Sequence, residues 1–199
     1  AQFKVTVTPE ELTQLLKLPH QSALSLNWKP RFLPYTYAPV VRYQKQYQLD
    51  LMNFSLIPSW SETPKPKFAT HNARIETILE KPTWEKPFCQ SRCLIPINAF
   101  YEPIYEGLWA NNMVEFSCNS LLFAAGIWDS WEPPDGGAPK LSFSILTTEP
   151  SPQIREAGHD RSPIFLQEAQ WQKWLNAQDP KKDRIWLLEE KFQPDFKIS

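Results

Sequence analysis

The chain has 199 residues, 42% apolar and 22% charged, the balance of an ordinary globular protein with a sizeable core. Its 21 basic and 22 acidic residues leave a net charge of -1, which excludes the strongly basic balance of a dedicated duplex-binding protein, whose affinity rests on phosphate contacts. No apolar run reaches about 18 residues, so no helix is expected to span a bilayer, and no basic-then-apolar opening argues for secretion.

In chain order, Thr8, Pro9, Glu10 and Glu11 predict a helix start. Thr8 caps it, Pro9 takes the first turn, and the two acids complement the dipole. Leu12, Leu15 and Leu16 then share one face. Residues 19–37 predict a loop rich in proline and aromatics. Residues 38–43 and 47–57 predict paired strands; in the second, Leu49, Leu51, Asn53, Ser55 and Ile57 alternate with Asp50, Met52, Phe54 and Leu56. A loop runs from Pro58 to Pro66. Residues 72–81 carry weak helical spacing in Ile75, Ile78 and Leu79, and residues 92–97 predict a short apolar strand. Residues 113–118 and 121–128 predict a hairpin around Asn119 and Ser120. Glu132 to Gly137 is a loop, residues 141–147 alternate as a strand, and residues 167–175 predict a helix carrying Trp171, Trp174 and Leu175. These elements sum to a strand-dominated α+β single domain over residues 1–199.

With 20 prolines against 5 glycines, turns are built mainly by fixing φ. Aromatics reach 14%, nine of them tryptophans; they suit a bulky core or a platform for bases. Cys89, Cys93 and Cys118 lack the paired spacing of a zinc site, and a reduced cytoplasmic setting is expected.

Four stretches put polar groups where a strand ends, the usual place for function. They are "HNARIET", "RCLIPINAFYEP", "FSILTTEP" and "GHDRSPIF". His159 can move a proton near neutral pH, or it is a solvated loop residue. Glu102 lies between bulky aromatics and Pro103; such packing desolvates a carboxyl and suits it to proton donation, or it is a surface acid beside a turn. Asn72 can hold an amine or hydroxyl, or cap a helix. Arg74 can fork a phosphate, or pair with Glu76.

Together and in order, these stretches resemble the SOS response-associated peptidase (SRAP) family. That pattern is carried by Asn72 to Thr77, Arg92 to Pro96 with Phe100 to Glu102, Leu146 to Thr148, and His159 to Pro163. "LIPSW" and "YTYAP" match weaker blocks, and the resemblance covers residues 1 to about 176. It implies mixed sheets forming a barrel-like core with a few peripheral helices. It implies single-stranded DNA with abasic sites as partner, no membrane, no cofactor, no metal and a monomer. It further implies a thiazolidine crosslink to the abasic site through an N-terminal cysteine, and removal of the protein's own N-terminal residue or leader. The catalytic residues it implies are Asn72, Glu102 and His159. Arg74 and Arg161 would grip phosphate, Trp60 would wedge against unstacked bases, and Thr148 would join the DNA contacts.

The sequence departs from that pattern. It opens Ala1, Gln2, Phe3, which fits the position just after the nucleophilic cysteine, so a cysteine is expected immediately before Ala1. Phe54 and Ser55 stand where Trp-Gly is usual, Thr36 where Asn is usual, and Pro103 where Trp is usual. The chemistry explains the terminal cysteine. An α-amine titrates closer to neutrality than lysine and attacks the opened aldehyde, and a thiol on the adjacent carbon traps the imine as a ring. A terminal Ala1 would stop at the imine, favouring transient binding or strand cleavage by β-elimination. Two rival readings are a non-covalent single-strand binder and a thiol hydrolase using Cys93 with His159; the apolar run around Cys93 predicts an inert thiol instead.

Overall fold

The structure, a computed structural model, describes residues 1–19, 26–176 and 178–199. Its elements in chain order are β1 (Gln2–Lys4), α1 (Pro9–Leu15), β2 (Arg31–Phe32), β3 (Tyr37–Gln44), β4 (Gln46–Phe54), β5 (Asn72–Arg74), α2 (Pro82–Gln90), β6 (Arg92–Ile104), β7 (Asn112–Trp131), β8 (Lys140–Thr148), α3 (Pro152–Glu156), β9 (Ser162–Pro163), β10 (Phe165–Leu166), α4 (Glu168–Leu175), α5 (Pro180–Glu189) and β11 (Lys197–Ile198). A single 3-10 turn, Ile75–Thr77, follows β5.

The strands form a closed ring. β7 pairs with β8, β8 runs parallel to β4, β4 pairs with β3, β3 with β6, and β6 returns to β7. This is the strand-dominated α+β architecture expected, with helices at the periphery. Closure removes the unpaired edges that an open sheet would present. The apolar run of β6 follows from burial on both faces. Cys93, Ile95 and Ile97 join one core with Phe54, Phe100 and Phe143. Leu94, on the other face, joins a second core under the helices with Phe88, Trp171 and Trp174.

Arg92 ties that second layer down. Its side chain is fully buried, donates to the carbonyls of Phe88 (2.8 Å) and Trp174 (3.2 Å), and lies over both rings. Its Nη2 is 2.9 Å from Asp183 Oδ2, a charge contact without good hydrogen-bond alignment. One guanidinium thus links α2, α4 and α5 to the start of β6.

Several expectations held. α1 starts at the Thr8 capping box, β3 and β4 pair in one register from Tyr37↔Asn53 to Gln44↔Gln46, and Glu132 to Gly137 is a loop. The late helix starts one residue later than predicted, because Gln167 caps it. Others need correction. The second strand stops at Phe54, not at 57, since Ser55 takes φ +152° and its carbonyl accepts from Asn53 Nδ2 at 2.7 Å. Residues 72–81 do not open as a helix. Asn72, Ala73 and Arg74 pair with Ile145, Leu146 and Thr147 of β8, whose edge satisfies their backbone better than a weak helical stripe would. The strand predicted over 92–97 continues to Ile104. Residues 113–128 are not a hairpin but part of β7. Its register against β6 shifts between Ile97↔Leu122 and Ala99↔Ser117, so Asn119 and Ser120 bulge out without reversing the chain. Within the predicted loop 19–37, residues 20–25 lie outside the described residues, and Arg31–Phe32 form β2. Helices α2, α3 and α5 were not anticipated; α2 even holds Pro87 in its interior.

Candidate functional site at the amino end

The site begins with the register of β1. Phe3 is 1% exposed and packs on Phe32, Phe54 and Phe143, which anchors a strand of only three residues. β1 pairs with β6 as Gln2↔Tyr101 and Phe3↔Phe100, so the next position places Ala1 opposite Glu102. Strand alternation turns Ala1 and Glu102 inward with Phe3 and Phe100, while Gln2 and Tyr101 face the other way. The Ala1 amino nitrogen lies 3.8 Å from Glu102 Oε2. Outside the ring, Gln2 Oε1 accepts from Arg31 Nε (2.9 Å) and Nη2 (2.6 Å), and the Arg31 guanidinium lies 4.0 Å over the Tyr101 ring. Burial and a hydrogen bond with Glu115 push Tyr101 up to about 12, so it stays a neutral donor.

His159 reaches the same carboxylate from another direction. Its Nε2 is 3.5 Å from Glu102 Oε2, and its Nδ1 sits against the Arg161 backbone, 2.9 Å from the carbonyl oxygen and 3.1 Å from the nitrogen. Burial opposes the charged ring, but the hydrogen bond and charge of Glu102 outweigh it and raise the His159 pKa above its ordinary value. Gly158, at φ +96°, makes the turn that aims His159; a Cβ there would meet the Glu106 carbonyl oxygen at 2.5 Å.

Asn72 enters from β5. With Ala1, Phe54, Glu102, Thr147 and Arg161 it lines one small pocket. The structure therefore brings three of the sequence-derived candidates, Asn72, Glu102 and His159, to one place around Ala1. His71 was not anticipated. Its ring meets Phe54 edge-on at 5.9 Å, and burial followed by the positive amino terminus lowers its pKa, against a smaller opposing pull from Glu102.

The four DNA-contact candidates divide. Arg74 is exposed and lines an open groove next to the pocket, together with Tyr105, Arg155, His159 and Arg161. The alternative pairing of Arg74 with Glu76 is not formed. Glu76 instead accepts from Arg161 at 3.0 and 2.8 Å, and these bonds hold its pKa below the usual value although burial opposes it. Arg161 also donates to Thr147 Oγ1 at 3.2 Å, and its Nε is buried without a partner. Arg161 is thus a positioned, ion-paired wall of the pocket. Trp60 is 59% exposed but does not line the pocket. Thr148 is 3% exposed and turns away; by strand alternation its neighbour Thr147 takes the inward place. That alternation in "ILTT" was readable from the sequence once the inward face was known.

Cys93 is fully buried, and burial pushes its thiol well above the usual range. It packs inside the ring core, so the thiol-hydrolase reading gains nothing from the structure.

A ring of strands brings an amide, a carboxylate and an imidazole together around Ala1. Comparison with known proteins gives the family: residues 1–198 match the SOS response associated peptidase (SRAP) model, and the chain belongs to that family. Among its relatives is abasic site processing protein YoqW of Bacillus subtilis, 33% identical over 152 residues, covering 74% of this chain and 66% of that one. Abasic site processing protein HMCES of Xenopus tropicalis is 29% identical over 188 residues, covering 78% of this chain and 56% of that one. The chain thus spans slightly less than two thirds of the first of these relatives and just over half of the second. A crystal structure of a Bacteroides thetaiotaomicron protein superposes with a TM-score of 0.81 at 22% identity, covering 99% of this chain and 90% of that one; it attests the fold.

Proposed function

We propose that this protein captures abasic sites in single-stranded DNA by forming a covalent bond at its amino end. The observation that carries the reading is the convergence of Ala1, Glu102 and His159, with contacts of 3.8 and 3.5 Å to one carboxylate oxygen, beside Asn72 in the same pocket. The naming of the relatives for abasic site processing supports the substrate class.

The chemistry follows from the groups. The ring-closed sugar opens when its C1–ring-oxygen bond breaks: one member of the His159–Glu102 pair gives a proton to the ring oxygen, and the other takes the proton of the C1 hydroxyl as the aldehyde forms. An amine held by Asn72 adds to the aldehyde carbon, and loss of water with a proton from Glu102 gives an imine. A thiol on the next carbon then adds to the imine carbon, its proton passes to the nitrogen, and a five-membered thiazolidine closes. A cysteine immediately before Ala1 supplies both amine and thiol. It would enter the pocket that Ala1 now borders. Processing of the protein's own N-terminus would be the step that frees the amine.

The test is denaturing electrophoresis of an abasic oligonucleotide with protein carrying that cysteine. A shifted band is expected, slowed by about two orders of magnitude on replacing Glu102 with Gln or Asn72 with Ala, the size usual for a lost general acid or positioning group. Variants that crosslink at the wild-type rate would refute these roles. A protein that binds the strand but never shifts the band would instead be a non-covalent binder.

A further inference from the structure

The aromatic residues of the loop before β3 are not used by the pocket, and one of them is held under strain. Tyr35 has φ +69°, a conformation that favours glycine and is costly for a bulky side chain. Its backbone N–H donates to the Phe54 carbonyl at 2.6 Å, and Phe54 lines the pocket that holds Ala1 and Asn72. The strained turn therefore ties the Tyr35 backbone to a residue that lines the pocket, and the Tyr35 ring itself remains 44% exposed. Lys65 lies with its ammonium 5.0 Å over the ring, so a second loop meets the first here. Leu33 and Phe68 on the same two loops, and Tyr37 at the start of β3, are exposed as well.

Charge is unevenly spread along these two segments. In a chain of net charge -1, residues 26–37 carry Lys29 and Arg31 and no acid, and residues 63–74, between Glu62 and Glu76, carry Lys65, Lys67 and Arg74 and no acid. Arg31 is held outside the ring by Gln2 and Tyr101, so the cation shown at Tyr35 is Lys65. Exposed rings interleaved with unopposed cations are the chemistry of a single-strand track: rings offer π-faces to any base, and ammonium groups meet the phosphates between them. A folded protein partner would be met by a mixed rim, and a duplex hides its base faces.

We propose that Tyr35, with Lys65 over its ring and Lys67 two residues further along the same loop, is a stacking platform for an unpaired base next to the captured sugar. The base takes the ring face that Lys65 now covers, and the displaced ammonium meets the adjoining phosphate. The platform fixes which way the strand leaves the pocket. It rests on the single-strand reading given above, and its test is independent of the covalent step.

The experiment is fluorescence anisotropy with a labelled single-stranded oligonucleotide that contains no abasic site and so offers no aldehyde. Replacing Tyr35 with Gly removes the ring and relaxes the backbone, and should weaken binding about tenfold with the salt dependence unchanged. Replacing Lys65 or Lys67 with Ala should weaken binding and lower the slope of log K against log salt by about 0.7 each, as for one lost phosphate contact. Lys181→Ala, on exposed α5, is the control for net charge. Tyr35→Gly binding like wild type, lysine variants no different from the control, or blunt duplex bound as tightly as the single strand would each overturn the platform. If plain strands bind through Tyr35 but abasic strands never crosslink, the platform stands and the covalent reading falls. If abasic strands crosslink and Tyr35→Gly binds normally, the covalent reading stands and the platform falls.

Discussion

Replacing Gly158 with Ala should cost the protein both stability and the aim of His159, and the two costs can be separated. Gly158 sits at φ +96°, where a Cβ would meet the Glu106 carbonyl oxygen at 2.5 Å and Ile104 Cγ2 at 2.9 Å. The backbone region alone costs an alanine about 1–2 kcal/mol. The clash is with backbone that cannot rotate aside, and forced overpacking of this kind adds about 1–3 kcal/mol. The sum, about 2–5 kcal/mol, corresponds to a fall in Tm of roughly 4–20 °C for a chain of this size. Gly107 is the internal control. It too has positive φ, +81°, but its Cβ would meet nothing within 4 Å, so Gly107→Ala should show only the backbone part, about 1–2 kcal/mol. Thermal denaturation by circular dichroism reads both, and the crosslinking rate reads the aim of His159, which should suffer in Gly158→Ala alone. Equal Tm values for the two variants would refute the steric reasoning.

Titration followed by NMR should place His159 above the ordinary histidine value of about 6.5 and His71 below it, because Glu102 holds the His159 charge while burial disfavours that of His71. The sign for stability follows: the His159–Glu102 contribution is full below the unfolded pKa and is lost as pH rises through the raised folded pKa, and Glu102→Gln should remove it; the reverse order of the two histidines would contradict the site electrostatics. Asp183→Ala leaves the buried Arg92 without its counter-ion and should cost about 3–5 kcal/mol in urea unfolding, whereas a cost near zero would mean the pair is not what docks α5. Arg74→Ala should weaken DNA binding and lower its salt slope by about 0.7 while leaving Tm nearly unchanged, and Arg161→Ala, which breaks a two-bonded pair with Glu76, should lower Tm; the opposite pattern would exchange their roles.

What the sequence made legible was the set of groups, and what it hid was their register. The strand pair 37–54 was legible from its β-rich sequence, although it is buried on both faces, with Ala38 and Val40 in one core and Val41 in the other. Asn119 and Ser120 carry a turn signal, yet β6 is long enough to pair on both sides of them, so the chain bulges where the local pattern suggested reversal. Residues 72–74 show why local spacing misled: the free edge of β8 decides their conformation, and that edge lies some seventy residues away in sequence. Asn72, Glu102 and His159 could be named from motif resemblance, but nothing local in three residues of β1 fixes Ala1 opposite Glu102. That follows from Phe3 packing among rings from three other strands. Alternation in "ILTT" fixes two faces without saying which one points inward, and only the packing gives Thr147 the pocket side. The Arg161–Glu76 pair was likewise hidden, since Arg74 is the nearer partner in sequence.

Intact-mass spectrometry of the protein, bearing a cysteine immediately before Ala1, after incubation with an abasic single-stranded oligonucleotide tests the covalent reading most directly. The account predicts a species equal to protein plus oligonucleotide minus one water, formed with the cysteine present and about a hundredfold more slowly when Glu102 is Gln. A mixture in which protein and oligonucleotide keep their separate masses, with the strand intact and bound, would contradict it.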